Sequence, residues 1–329
     1  MRRTTIVLPL IYAIILTLAS CSDKNHINSG AVWGTTYRIT YSAPRDLGDS
    51  IVSVMKDIED ELSMFAPSST VSRINRNEDV EVGEAFRQVF QLSKKISSIS
   101  GGAFDPTVGP LTDLWGFGTV KSDSVITPDD DTLAAALATV GIERCRLDGA
   151  KVIKPSPETR FDFSSVAKGY GVDAIAEMLK RNGVTDFLVE IGGEIVTSGQ
   201  NPRGQVWRVQ IDAPIAESTD HVAMYVIPLD NRAVATSGNY RNFRQTADGR
   251  IGHTLDPRSG RPVESSTLST TVIAPDCATA DALATACMVM PHALALEMIE
   301  RMPGVEALIA VAAPDSITLL PSSGFPDAL

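Results

Sequence analysis

The sequence predicts an α+β fold with mixed, largely antiparallel sheets flanked by helices. Two observations carry this. Helical and strand-like periodicities are intermingled along the chain without the regular alternation that a doubly wound parallel sheet requires. Several strand-like segments also follow one another through turns containing Gly and Pro, as antiparallel neighbours do. With 329 residues, 43% of them hydrophobic and 21% charged, the chain can bury a substantial core in one large domain or two lobes.

The N-terminus reads as a targeting signal. Met1-Arg2-Arg3 is positive, and the apolar run Ile6 to Leu18 is too short to span a bilayer, which needs about 20 residues. Leu18-Ala19-Ser20-Cys21 resembles a bacterial lipobox, in which the Cys is acylated and becomes the first residue. The expected organisation is therefore a lipoprotein signal peptide over 1–20, a polar tether over 21–30 and a folded domain over 31–329. Such a protein is held to a membrane by its lipid and faces the periplasm or cell exterior. Lipidation of Cys21 leaves Cys145, Cys277 and Cys287, an odd count that fits buried thiols better than a disulfide set. The formal charge moves from −11 to −13 when Arg2 and Arg3 leave with the signal. An acidic surface without a basic run excludes nucleic-acid binding.

Alternation predicts a strand over Trp33–Tyr41. Apolar residues at 51, 54, 55, 58 and 62 predict a helix over Ile51–Leu62. A second amphipathic helix is expected over Glu84–Ile99, stopped by Gly101-Gly102, and an Ala-rich one over Asp129–Val140. Val152-Ile153 and Phe161–Phe163 read as short strands, and Gly171–Lys180 as a helix. Strands are expected over Phe187–Val196, Val206–Ile211 and Val222–Leu229. After them come a strand at Leu268–Ile273, helices at Ala278–Met290 and Ala293–Met302, and a strand at Ala307–Val311.

Four stretches carry chemistry. Residues 101–110 (GGAFDPTVGP) form a shaped loop, either a tight connection or a surface that a ligand can approach closely. Residues 162–171 (DFSSVAKGYG) pass through a hydroxyl-rich turn with one Lys into a helix, a natural phosphate site. This is not a Walker A motif. Gly169, Gly171 and Ala174 do match the Rossmann spacing, but five residues separate the strand from the first Gly, where that fingerprint needs a tight turn. Residues 252–262 (GHTLDPRSGRP) place His253 in a turn beside an acid, where it either moves protons near neutral pH or simply orders the turn. A serine hydrolase is disfavoured because G-x-S-x-G is absent from the chain. In residues 276–286 (DCATADALATA), Asp276 reads as an N-cap, and Asp281 and Thr285 share one helix face. Hard oxygens of this kind suit Mg²⁺, while a buried Ala-rich helix with an ion-paired Asp281 is the alternative.

Together with Gly192-Gly193-Glu194, these stretches occur in the order seen in the ApbE family, the bacterial FAD:protein FMN transferases, which the chain resembles from about Trp33 to its late strands. The resemblance implies a T-fold-like α+β architecture. It implies FAD as substrate, lying against Phe65, Ala103, Phe104, Asp105, Ser164, Lys168, Tyr170 and Leu255. It also implies a Mg²⁺ cofactor held by the carbonyls of Ala167 and Ala284, the Asp281 carboxylate and the Thr285 hydroxyl. An acceptor Ser or Thr hydroxyl then attacks the FMN phosphorus and AMP departs, with His253 or Asp281 as the catalytic base. Expected acceptors are flavoprotein subunits of membrane redox complexes or extracytoplasmic flavoproteins. FAD hydrolysis to FMN and AMP, or non-catalytic FAD binding by a lipoprotein, are the alternatives. Two positions depart from the family pattern: Trp33 stands where Met is frequent, and Gly252 where Ser precedes the His.

Overall fold

The structure, a computed structural model, describes residues 24–119, 127–214, 222–239, 243–246 and 249–329. The expected signal peptide and Cys21 lie outside the described residues. The polar stretch read as a tether is strand from Lys24 onward. β1 (Lys24–Val32) pairs antiparallel along its full length with β2 (Thr35–Ala43). An edge strand can stay polar because water satisfies its outer side, so β1 lacks the apolar alternation that would reveal it. Trp33 and Gly34 turn the hairpin with φ of +48° and +76°, the geometry that matches strand twist.

Helix α1 (Gly48–Leu62) buries Ile51, Met55, Ile58 and Leu62, as their spacing requires. A short α2 (Thr70–Asn75) follows, its N-cap Ser69 accepting the Ser72 amide. Helix α3 (Glu84–Ile99) ends before Gly101 and Gly102, whose φ values are +60° and +78°. Beyond the loop lie α4 (Gly109–Leu114) and α5 (Asp130–Leu137), then a small hairpin of β3 (Arg146–Asp148) and β4 (Lys151–Ile153). The strand expected at Phe161–Phe163 does not form. Phe161 and Phe163 are instead fully buried, stacked on each other at 5.5 Å and edge-on to Phe86. Apolar content there reflects packing and not pairing.

Helix α6 (Ala167–Arg181) begins four residues before its expected start, so Lys168 and Gly169 lie in its first turn. The single strand expected over Phe187–Val196 is a hairpin of β5 (Phe187–Ile191) and β6 (Glu194–Ser198), turned by Gly192 and Gly193 at φ +62° and +100°. Next come β7 (Trp207–Asp212), β8 (Ala223–Leu229) and β9 (Ala233–Gly238), then the hairpin of β10 (Phe243–Thr246) and β11 (Gly249–Gly252). The chain ends with β12 (Thr267–Ala274), α7 (Cys277–Val289), α8 (His292–Glu300), β13 (Glu306–Ala313) and β14 (Ser316–Pro321).

One eight-stranded sheet, in the order β1-β2-β5-β6-β9-β12-β13-β14, is antiparallel at every pairing, as the α+β reading requires. Alternate residues point to opposite faces. Ala235, Val272 and Ile309 join the core beneath α3 and α7, while Val234, Ile273 and Leu308 pack with Val209, Ile211 and Ile227 of the β7–β8 ribbon. Helices α1 and α6 cover β2 and β5 through Ile51, Met55, Val172, Ile175, Ile39 and Phe187.

Candidate active site

Helices α6 and α7 approach so closely that a Cβ on Gly169 would lie 2.4 Å from the Cys277 carbonyl. Only glycine permits this, so Gly169 is a packing residue and not part of a dinucleotide fingerprint. Gly171 plays the same part toward Trp33, whose ring lies 2.3 Å from the position of an added Cβ. Asp173 on α6 accepts the amides of both Cys277 and Ala278 at 2.8 Å, capping α7 from its neighbour. The expected N-cap also forms, with Asp276 accepting the Thr279 amide at 2.8 Å. The Gly169 amide in turn donates to Asp281 Oδ2 at 3.1 Å.

Beside this contact opens a cavity of about 780 Å³. Its walls include Phe65, Ala103, Phe104, Asp105, Ser164, Lys168, His253, Leu255, Asp281 and Thr285, all named from the sequence. Ala167, Tyr170 and Ala284 are not among its lining residues. Ala284 is fully buried, and its carbonyl accepts the Thr270 hydroxyl at 2.6 Å. Tyr170 packs against the core beside α3 and α7. Phe65 is 61% exposed at the cavity, an unusual position for an aromatic ring without a partner surface.

The loop at Ala103–Asp105 is held from within. Asp105 Oδ1 accepts the Thr107 amide and hydroxyl at 2.8 and 2.6 Å, and Oδ2 accepts the Ile142 amide at 2.9 Å. Its carboxylate therefore shapes the loop, leaving backbone for a ligand. The His253 turn is tied to α4 by Trp115, whose indole donates to the Gly260 carbonyl at 2.8 Å. Asn239 Oδ1 accepts the Thr254 amide and hydroxyl at 3.3 and 2.7 Å. Phe117 meets the His253 ring edge-on at 6.4 Å.

Sequence reasoning assigned no role to three acids of this region: Asp162, Asp173 and Glu194. Asp162 and Glu194 are buried and Asp173 is half-buried, and a carboxylate held away from water signals a job. Burial raises the carboxyls of Asp105 and Asp162. Burial also pushes the Glu194 carboxyl upward, against the pull of Lys168. Lys168 Nζ lies 2.9 Å from Glu194 Oε1 and 3.7 Å from Asp281 Oδ2. Burial alone would lower its ammonium, but these two carboxylates outweigh that and raise it.

The lining thus sets four carboxyl groups against one lysine among the described residues. Such a surface repels a pyrophosphate unless a cation intervenes. The donor set fits a hard divalent cation: the Asp281 carboxylate and the Thr285 hydroxyl, which lies 3.2 Å from Ser237 Oγ, beside a buried Glu194 Oε2 that has no hydrogen-bond partner. Among the described residues, no Cys and one His line the cavity, which disfavours a soft-metal site.

Fold and cavity together define an α+β protein with one large acidic cavity at the contact of α6 and α7. Comparison narrows this class. The family model described as the ApbE family matches residues 33–309. A FAD:protein FMN transferase of Vibrio cholerae is 35% identical over 325 residues, covering 95% of this chain and 96% of the relative. One from Haemophilus influenzae is 34% identical, with 88% of each chain covered. The solved flavin transferase ApbE from Vibrio cholerae superposes with a TM-score of 0.82 at 34% identity, covering 92% of this chain and 98% of that one. The apo form of the Pseudomonas stutzeri flavinyl transferase ApbE gives 0.82 at 32%, with 92% and 96% covered. The chain belongs to the ApbE family.

Proposed function

We propose that the protein transfers the FMN half of FAD to a Ser or Thr hydroxyl of an acceptor flavoprotein, releasing AMP, with Mg²⁺ as cofactor. The observation that carries this reading is the single cavity of about 780 Å³, which gathers residues of all five stretches, including Glu194, onto its walls. Relatives of nearly the same length, named FAD:protein FMN transferase, agree with it.

Each wall has a task. The exposed ring of Phe65, with Phe104 and Leu255, offers apolar surface to the flavin. Ser164, Ser165 and Lys168, at the start of α6, bind the pyrophosphate, where the helix dipole favours negative charge. Asp281 and Thr285 would hold the cation from the α7 wall. When bound, Mg²⁺ supplies charge neutralisation for the phosphates as the transition state forms. The acceptor hydroxyl oxygen bonds to the FMN phosphorus, and the bond from that phosphorus to the bridging oxygen breaks. AMP leaves with that oxygen, and the hydroxyl proton passes to a base. Asp281 already accepts the Gly169 amide and faces Lys168, so His253 is the base.

We also propose that Cys21 carries lipid and holds the domain outside the cytoplasm. Strand β1 starts at Lys24, so only Ser22 and Asp23 lie between the anchor and the sheet. At no more than about 3.5 Å per residue, the domain sits within roughly 10 Å of its lipid. Acceptors must therefore come to the membrane, as subunits of membrane redox complexes or extracytoplasmic flavoproteins do. One test covers the activity: incubation with FAD, Mg²⁺ and an acceptor, read by the acceptor's mass. Covalent FMN on a Ser or Thr is the expected result. Free FMN with unmodified acceptor would mean hydrolysis, and FAD that survives intact would mean a binding protein.

A further inference from the structure

Glu194 is only 3% exposed, yet just one of its carboxylate oxygens is paired. Oε1 takes the Lys168 ammonium at 2.9 Å, while Oε2 has no hydrogen-bond partner. A buried ion pair kept for stability alone would satisfy both oxygens, because an unpaired buried acceptor is costly. This pair instead lines the cavity, with Asp281 on its other side. Two carboxylates share one ammonium unequally: Lys168 bonds Glu194 directly and stays 3.7 Å from Asp281 Oδ2. The Gly192-Gly193 turn fixes that inequality by setting Glu194 at the very start of β6, with Oε2 3.4 Å from where a Gly192 Cβ would lie.

We propose that Glu194 is a positioning residue for the cation site: it holds the Lys168 ammonium off Asp281, so that the Asp281 carboxylate stays available to a divalent cation. Without Glu194, the ammonium has one carboxylate left within reach. It closes the 3.7 Å gap and neutralises the only charged side chain among the donors assigned to the metal. This inference rests on the cation reading above and adds a residue that acts on the metal through another side chain.

The test is Mn²⁺ binding to the FAD-free protein, followed by calorimetry, with thermal melts to confirm folding. Glu194→Gln keeps the shape and removes the charge, and it should weaken Mn²⁺ by roughly 10–100-fold, as loss of a group supporting a metal ligand does. Adding Lys168→Met to that variant should restore the wild-type affinity, because the competing ammonium is gone. Lys168→Met alone should bind at least as tightly as wild type, which decides the matter even if Glu194→Gln does not fold. Unchanged affinity in Glu194→Gln, or a double variant as weak as Glu194→Gln, would overturn the proposal. Wild-type protein that takes up no Mn²⁺ would instead overturn the cation reading itself.

Discussion

The amide of Gly169 donates to Asp281 Oδ2 at 3.1 Å, and this bond joins two stretches of chain that lie 112 residues apart. It exists because Gly169 lets α6 lie against the backbone of α7, bringing the hydroxyl-rich turn before α6 and the Asp281–Thr285 face of α7 to one point.

Gly169→Ala places a methyl group 2.4 Å from the Cys277 carbonyl, which is backbone and cannot swing aside. The helices must separate, at a cost of about 1–3 kcal/mol. The melting temperature should drop, and affinity for Mg²⁺ should drop with it. A variant with unaltered stability would mean that the two helices tolerate more space than their packing indicates.

Asp281→Ala and Thr285→Ala should abolish Mg²⁺-dependent FMN transfer while circular dichroism stays native. Asp281 should matter more, because it contributes the charge. Turnover measured against Mg²⁺ concentration checks this, and unaltered Mg²⁺ dependence in Asp281→Ala would remove the metal assignment.

His253→Ala should slow single-turnover transfer at saturating FAD by about 10²–10⁴-fold, the usual loss when a general base is removed. FAD affinity should change little, since the turn is also held by Asn239 and by Trp115. Affinity and rate falling together would make His253 a residue that shapes the loop.

Asp173 provides a pH test away from the cavity. Its burial pushes the carboxyl from 3.8 up to about 7, although two amides pull the other way. The folded protein therefore binds this proton more tightly than the unfolded chain. Its contribution is fully present below about pH 4 and is lost as pH rises toward and through 7. Melting temperature followed from pH 5 to 8 should decline less steeply in Asp173→Asn than in wild type. Equal slopes would show that Asp173 is ionised throughout this range.

Cys21→Ala should move the protein from the membrane to the soluble fraction. Continued fractionation with lipid would argue against the anchor. In the lipidated protein, a flexible insertion after Asp23 should lengthen the reach of the domain without altering transfer to a soluble acceptor peptide.

Much of the fold was legible wherever a helix meets the core on one face. The helices at Ile51, Glu84 and Ala278 lie where their apolar spacing put them, since that period is set by the helix itself. Asp281 and Thr285 share a wall for the same reason: residues four apart on a helix always do. The order of the chemical stretches, and with it the family, is also a property of sequence alone. Strand β1 was not legible, because an edge strand needs hydrogen bonds and not apolar residues, and those bonds come from β2. The hairpin at Gly192-Gly193 was hidden inside one apolar run, and only the pairing of Ile191 with Glu194 reveals it. That turn sets Glu194 against Lys168, and α6 against α7 sets Lys168 near Asp281. Sequence thus determined many of the groups that line the cavity, though not the parts of Asp162 and Glu194. Tertiary structure decided which of them touch, because electrostatic partners are chosen by distances between elements that no local periodicity encodes.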